Sequence, residues 1–150
     1  MKNCIFLLSL FLFISCNNDD DVSEPEIQTG PISFVEIGRG KLNGFGSEGI
    51  LKSNLIIDNS TDWINLINQM DSDVIISRLT ETNIDFNNYT VIAVFDDVFT
   101  EVYFIEITSM IENQNDITVT TVLDGGGFTA VSQPFHIVKI PKTTKPFVFL

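Results

Sequence analysis

Residues 90–95, Thr-Val-Ile-Ala-Val-Phe, form an unbroken apolar run rich in β-branched side chains. Such a run suits a strand covered on both faces, which places it at the centre of a sheet. Around it, short apolar runs alternate with turn residues. Val102–Thr108 (VYFIEIT) and Ile117–Val122 (ITVTTV) read as two strands joined through the polar loop Ser109–Asp116, and the second alternates with period two. Phe135–Ile140 (FHIVKI) reads as a further strand stopped by Pro141, and Phe147–Leu150 as a short terminal one. Upstream, Ser33–Ile37 and Ile50–Ile57 read as strands flanking the glycine-rich stretch Gly38–Gly49.

One helix stands out. Trp63, Leu66, Ile67 and Met70 fall at i, i+3, i+4 and i+7, Asn59 or Ser60 can cap the segment, and Asp71-Ser72-Asp73 ends it. The sum is an α+β domain: a mainly antiparallel β-sheet with one amphipathic helix, with enough strands to curl toward a barrel.

The amino terminus has a different texture. Met1-Lys2-Asn3 is short and positive, and Ile5–Ile14 is an apolar run broken by one serine. At about ten residues it suits a signal-peptide core and falls short of the roughly 20 needed to span a bilayer. Phe13-Ile14-Ser15-Cys16 then resembles the bacterial lipobox, which implies lipidation of Cys16, typically with palmitate-class chains, after removal of residues 1–15. Asn17-Asn18-Asp19-Asp20-Asp21 resembles the surface-export signal of Bacteroidota lipoproteins. Residues 16–31 read as a flexible acidic tether and residues 32–150 as a single domain. The location expected is the cell envelope, as an outer-membrane lipoprotein held by its lipid, either surface-exposed or facing the periplasm. Cys4 lies in the removed segment and Cys16 carries the lipid, so the domain has no thiol for a disulfide, a nucleophile or a metal.

With 20 acidic against 8 basic residues, the net charge is −12. That surface repels phosphate backbones and disfavours nucleic acid as a partner. Gly44-Phe45-Gly46-Ser47-Glu48-Gly49 has G-x-G-x-x-G spacing, yet a strand follows where a nucleotide site needs a helix N-terminus. His136 is the only histidine; it shares a strand face with Val138 and Ile140 and reads as a packed or hydrogen-bonded residue at a sheet margin. Asp96-Asp97, after the central strand, reads as a turn rather than a cation site. No metal-ligand spacing and no catalytic constellation appear, so neither an enzyme nor a cofactor is expected.

Asp124-Gly125-Gly126-Gly127-Phe128 is the loop that invites a functional reading. Three glycines allow positive φ, and Phe128 is either folded back on the core or presented outward. Phe99, between Asp96-Asp97 and Glu101, is a similar case. If exposed, the two would make an apolar patch ringed by acids, as a protein-binding surface would.

The segment Gln133-Pro134-Phe135-His136-Ile137-Val138-Lys139-Ile140-Pro141-Lys142 resembles the ending of the PrcB C-terminal domain family. Trp63, Asp85-Phe86 before Tyr89–Phe95, and Val102–Ser109 line up with that family's helix and strands in the same order, so the resemblance spans roughly residues 50–149. Thr100-Glu101-Val102-Tyr103 stands where the family has a Gly-Gly-Tyr lead into its strand. The resemblance implies an extracytoplasmic, non-catalytic domain that accompanies or stabilises a protease. Together these readings give a lipid-anchored protein-binding domain with a protease or other envelope protein as partner, and Phe99, Phe128, Gly125, Gly126 and Gly127 as contact candidates. The alternative is a surface lipoprotein that binds glycans or small molecules by stacking on Trp63 and the phenylalanines.

Overall fold

The computed structural model describes residues 29–42, 46–70 and 73–150. The expected signal segment, Cys16, most of the expected tether, Gly44-Phe45 and Asp71-Ser72 lie outside the described residues.

Two buried clusters explain the architecture. Strand β4 (Tyr89–Phe95) alternates between them: Val91, Ala93 and Phe95 enter one, Ile92 and Val94 the other. Helix α1 (Ser60–Met70) supplies Trp63, Leu66 and Met70 to the first cluster. Asn59 is its cap, accepting from Asp62 N at 2.9 Å through Oδ1. The one-turn α2 (Asp73–Ile76) follows and sends Ile75 into the same cluster. The second cluster is closed by Ile105, Ile107 and Met110 of β5 (Phe99–Glu112) and Ile117 and Val119 of β6 (Ile117–Pro141). Helix, central sheet and covering sheet therefore stack in three layers, and β4 is continuously apolar because both its faces are covered.

Strand β6 belongs to both sheets. From Ile117 to Ser132 it pairs with β5, and from Gln133 to Pro141 it lies between β4 and β2 (Val35–Leu42). Beyond β4 the central sheet ends at β3 (Ser53–Ile57). The covering sheet adds β1 (Gly30–Pro31) beside β5 and β7 (Phe147–Phe149) beside β6. Among the described residues every pairing is antiparallel except β6 with β7. The α+β class holds, and the sheet stays open rather than closing into a barrel.

Several boundaries differ from the sequence reading for physical reasons. Gly38 and Gly40 belong to β2 instead of opening a loop. A Cβ on Gly38 would sit 2.6 Å from Leu79 Cδ2, so the bare backbone lets Leu79 pack closely. Gly46 and Gly49 make a tight turn, Gly49 N to Gly46 O at 3.1 Å, that leads to β3 and to no helix. Strand β5 runs on to Glu112, and the hairpin turns within 113–116, where Asn113 N donates to Asp116 O at 2.8 Å. Gly30 and Pro31, expected at the end of the tether, pair with Glu112 and Ile111. The largest difference is β6, a single strand of 25 residues where two strands and a glycine loop were expected.

Candidate functional site

Gly125, Gly126 and Gly127 do not end a strand; they form a bulge within one. Tyr103 faces Gly125 and Glu101 faces Thr129, so three residues of β6, Gly126 to Phe128, stand opposite Val102 alone. The glycines take φ of 128°, 100° and 83°. At Gly125 a side chain is excluded twice over, because a Cβ would also lie 2.5 Å from the Val102 carbonyl oxygen. Two carboxylates pin the bulge. Gly125 N–H donates to Asp124 Oδ1 at 2.8 Å and Gly127 N–H to Glu101 Oε2 at 3.1 Å.

The effect is to hold Phe128 out in solvent, 76% exposed. Of the two readings open for this side chain, the outward one is observed. Phe99 lies farther along the same strand pair, opposite Ser132, and is half-buried. Two register shifts coil this end of β5, bringing the Phe99 and Tyr103 rings to 4.6 Å between centroids. Val98 and Val131 are exposed at the same end, with Asp97, Glu101 and Asp124 among them. The structure brings Phe99, Phe128 and the glycines singled out in the sequence to one end of the covering sheet, with the acids around them, but of the two rings only Phe128 is exposed. Sequence reading missed Tyr103, whose ring reaches Phe99 only through the two register shifts.

Asp96 belongs to the frame of this end. It is buried, its Oδ1 accepting from Asp97 N at 2.7 Å and from Lys52 Nζ at 2.6 Å. That contact holds the Lys52 ammonium above its ordinary value. The carboxylate is thereby committed to a turn and an ion pair, and among the described residues no three His, Cys, Asp or Glu could jointly hold a metal.

Next to the bulge runs a groove of ≈ 500 Å³ between β2 and β5, lined by Arg39, Phe104, Glu106, Val122, Leu123 and Asp124. Lys41 lies over the Phe104 ring, 5.5 Å from its centroid. Arg39 spans the groove wall, 3.0 Å from Glu106 Oε1 and 3.5 Å from Glu36 Oε2.

His136 lies behind that wall, not at a sheet margin: it is 1% exposed and flanked by β2 and β4. From there it serves the open side of β5. Its free edge meets β1 only at Ile111 and Glu112, so N–H groups farther back need other acceptors. Tyr103 N–H donates to Ser132 Oγ at 3.2 Å and Ile107 N–H to His136 Nδ1 at 2.7 Å. Burial pushes this imidazole below its ordinary value, against the opposing pull of Glu36, and Arg39 lowers it further.

Trp63 is 2% exposed, its Nε1–H donating to the Thr82 carbonyl at 2.7 Å, and so offers no face to a sugar ring. Comparison with protein-family models, curated proteins and solved structures finds no match to this chain. Among the described residues no helix is long and apolar enough to cross a membrane.

Proposed function

We propose that this chain is a lipid-anchored envelope protein whose single non-catalytic domain docks another protein through Phe128 and its surroundings. The observation that carries the reading is the bulge itself. A glycine triplet at positive φ, hydrogen-bonded by two carboxylates, keeps one phenylalanine in water. An exposed aromatic in a rigid frame is what interface anchors are made of. Val98, Val131, Phe99 and Tyr103 widen the apolar area, and the surrounding acids would form a polar rim.

The anchor is read from the apolar run before Ser15-Cys16, and the outer membrane from the acidic residues that follow. The resemblance of Gln133–Lys142 to the PrcB C-terminal domain supports a protease as the partner class. The glycan-binding alternative has lost Trp63, its best stacking residue, to the core.

Affinity capture of the tagged protein from gently cross-linked envelopes, with mass spectrometry of what is retained, tests the docking reading. One dominant partner that is lost on Phe128→Ala, with the fold unchanged by circular dichroism, supports it. Unchanged capture by Phe128→Ala and Phe99→Ala together removes the assigned surface. Labelled palmitate that enters the wild type but not Cys16→Ala tests the anchor separately.

A further inference from the structure

A histidine that accepts a hydrogen bond through one nitrogen carries its single proton on the other. Nδ1 of His136 accepts from Ile107 N–H, so the neutral imidazole holds its proton on Nε2. Nε2 lies 3.3 Å from Glu36 Oε2, off the line a hydrogen bond needs. The charged groups facing the ring are Glu36 and Arg39 from β2 and Glu106 from β5; β4 presents the uncharged Val94. Glu36 and Glu106 are both engaged by Arg39.

A second proton has only Nδ1 to go to. There it would turn the acceptor of Ile107 N–H into a donor, setting two N–H groups against each other across 2.7 Å. The resulting imidazolium would be buried, with its nearest carboxylate shared with a guanidinium. The contact is at a weak place in the fold, because the ladder between β5 and β6 shifts register between Ile107 and Ser109.

We propose that His136 is a proton-operated latch: neutral, it clasps the open edge of β5 to the second half of β6, and protonated, it lets that edge go. The latch works in the same way whatever docks at Phe128. Its release would loosen the stretch of β5 that carries Phe104 and Glu106, and with it the wall of the groove.

Amide hydrogen exchange on the full chain in detergent micelles, from about pH 8 to about pH 5 across the ordinary imidazole value of about 6.5, reads the latch directly. After correction for intrinsic exchange, Ile107 is expected to lose protection about tenfold per pH unit below a single-proton step. Ile92 and Ala93 in β4 should keep theirs. Glu36→Gln should move the step to lower pH and Arg39→Gln to higher pH, since one removes a carboxylate and the other a guanidinium from beside the ring. Both side chains are about half exposed, at 44% and 51%, so neither change removes core. His136→Asn, which keeps an acceptor at the δ position that cannot titrate, should abolish the step. If His136→Asn does not fold, the opposed shifts of the two charge variants decide the matter. Loss of Ile107 protection only together with that of β4, or charge variants that leave the step unmoved or shift it the same way, would overturn the proposal.

Discussion

The two halves of β6 share one continuous backbone and are built for different ends. From Gln133 to Ile140 only Lys139 is not fully buried, because β4 and β2 flank the strand and packed clusters cover both faces. From Val122 to Val131 every residue except Gly126 is exposed. The buried half is specified by apolar alternation into two cores. The exposed half is specified by a pairing defect, a glycine bulge that burial does not require. Where a stretch of strand, here residues 122–131, bears no packing duty yet takes a backbone shape that only glycine adopts readily, the shape itself calls for a use.

The comparison breaks first if the buried half proves dispensable. Ile137→Ala removes a fully buried side chain from the first cluster, and should cost about 2–5 kcal/mol by transfer and cavity terms together. Urea unfolding measures it. A loss within about 0.5 kcal/mol, the range of ordinary surface changes, would mean that this half does not carry the core.

Gly125→Ala tests the junction between the halves. Its positive φ and the approach of a Cβ to the Val102 carbonyl predict a cost of about 1–3 kcal/mol. At Gly127 the space is open and only the φ of 83° is strained, so Gly127→Ala should cost about 1–2 kcal/mol and no more than Gly125→Ala. Reversed ranks would show that the close contact with β5 does not shape the bulge.

His136 gives the buried half a pH dependence. Its folded-state value lies below that of the unfolded chain, so the unfolded chain binds the proton first as pH falls. Stability from this group is therefore complete above about pH 6.5 and declines as pH drops through that value. Denaturant midpoints at several pH values should show the decline in the wild type and its absence in His136→Asn. An identical slope in both would assign the acid sensitivity to carboxylates instead.

How much of this was legible in sequence follows from how local each signal is. Thr90–Phe95 declared a doubly covered strand through its own side chains, and the Trp63 stripe declared a helix face. His136 was correctly placed on one face with Val138 and Ile140, but its depth was not visible. That depth comes from β2 and β4 on either side, and the ring's hydrogen-bond donor, Ile107 N–H, comes from 29 positions away. The glycine triplet misled for a related reason. Glycine runs mark turns when a strand ends and bulges when it continues, and only the partner's register, Val102 opposite three residues, tells the two apart. Phe99, Phe128 and the acids could be named because they adjoin the acidic and glycine-rich segments in the chain, whereas the sequence leaves the exposure of either ring open. Tyr103, whose ring meets Phe99 only once β5 is coiled, could not be named.

The smallest expected effect on stability is the one that sharpens the comparison most. Phe128→Ala removes a side chain that is mostly in water, so its unfolding free energy should stay within about 0.5 kcal/mol of wild type. An anchor residue of an interface, by contrast, typically costs at least about 2 kcal/mol of binding when truncated, a loss of roughly thirtyfold in affinity. Stability and binding therefore separate at this position. If Phe128→Ala lowered stability by several kcal/mol, the ring would be packing against the domain in solution and the exposed half would be a second core edge. If it changed neither stability nor binding to the captured partner, the bulge would be without a docking role. A loss confined to binding would show that the rigid glycine frame serves the ring it presents.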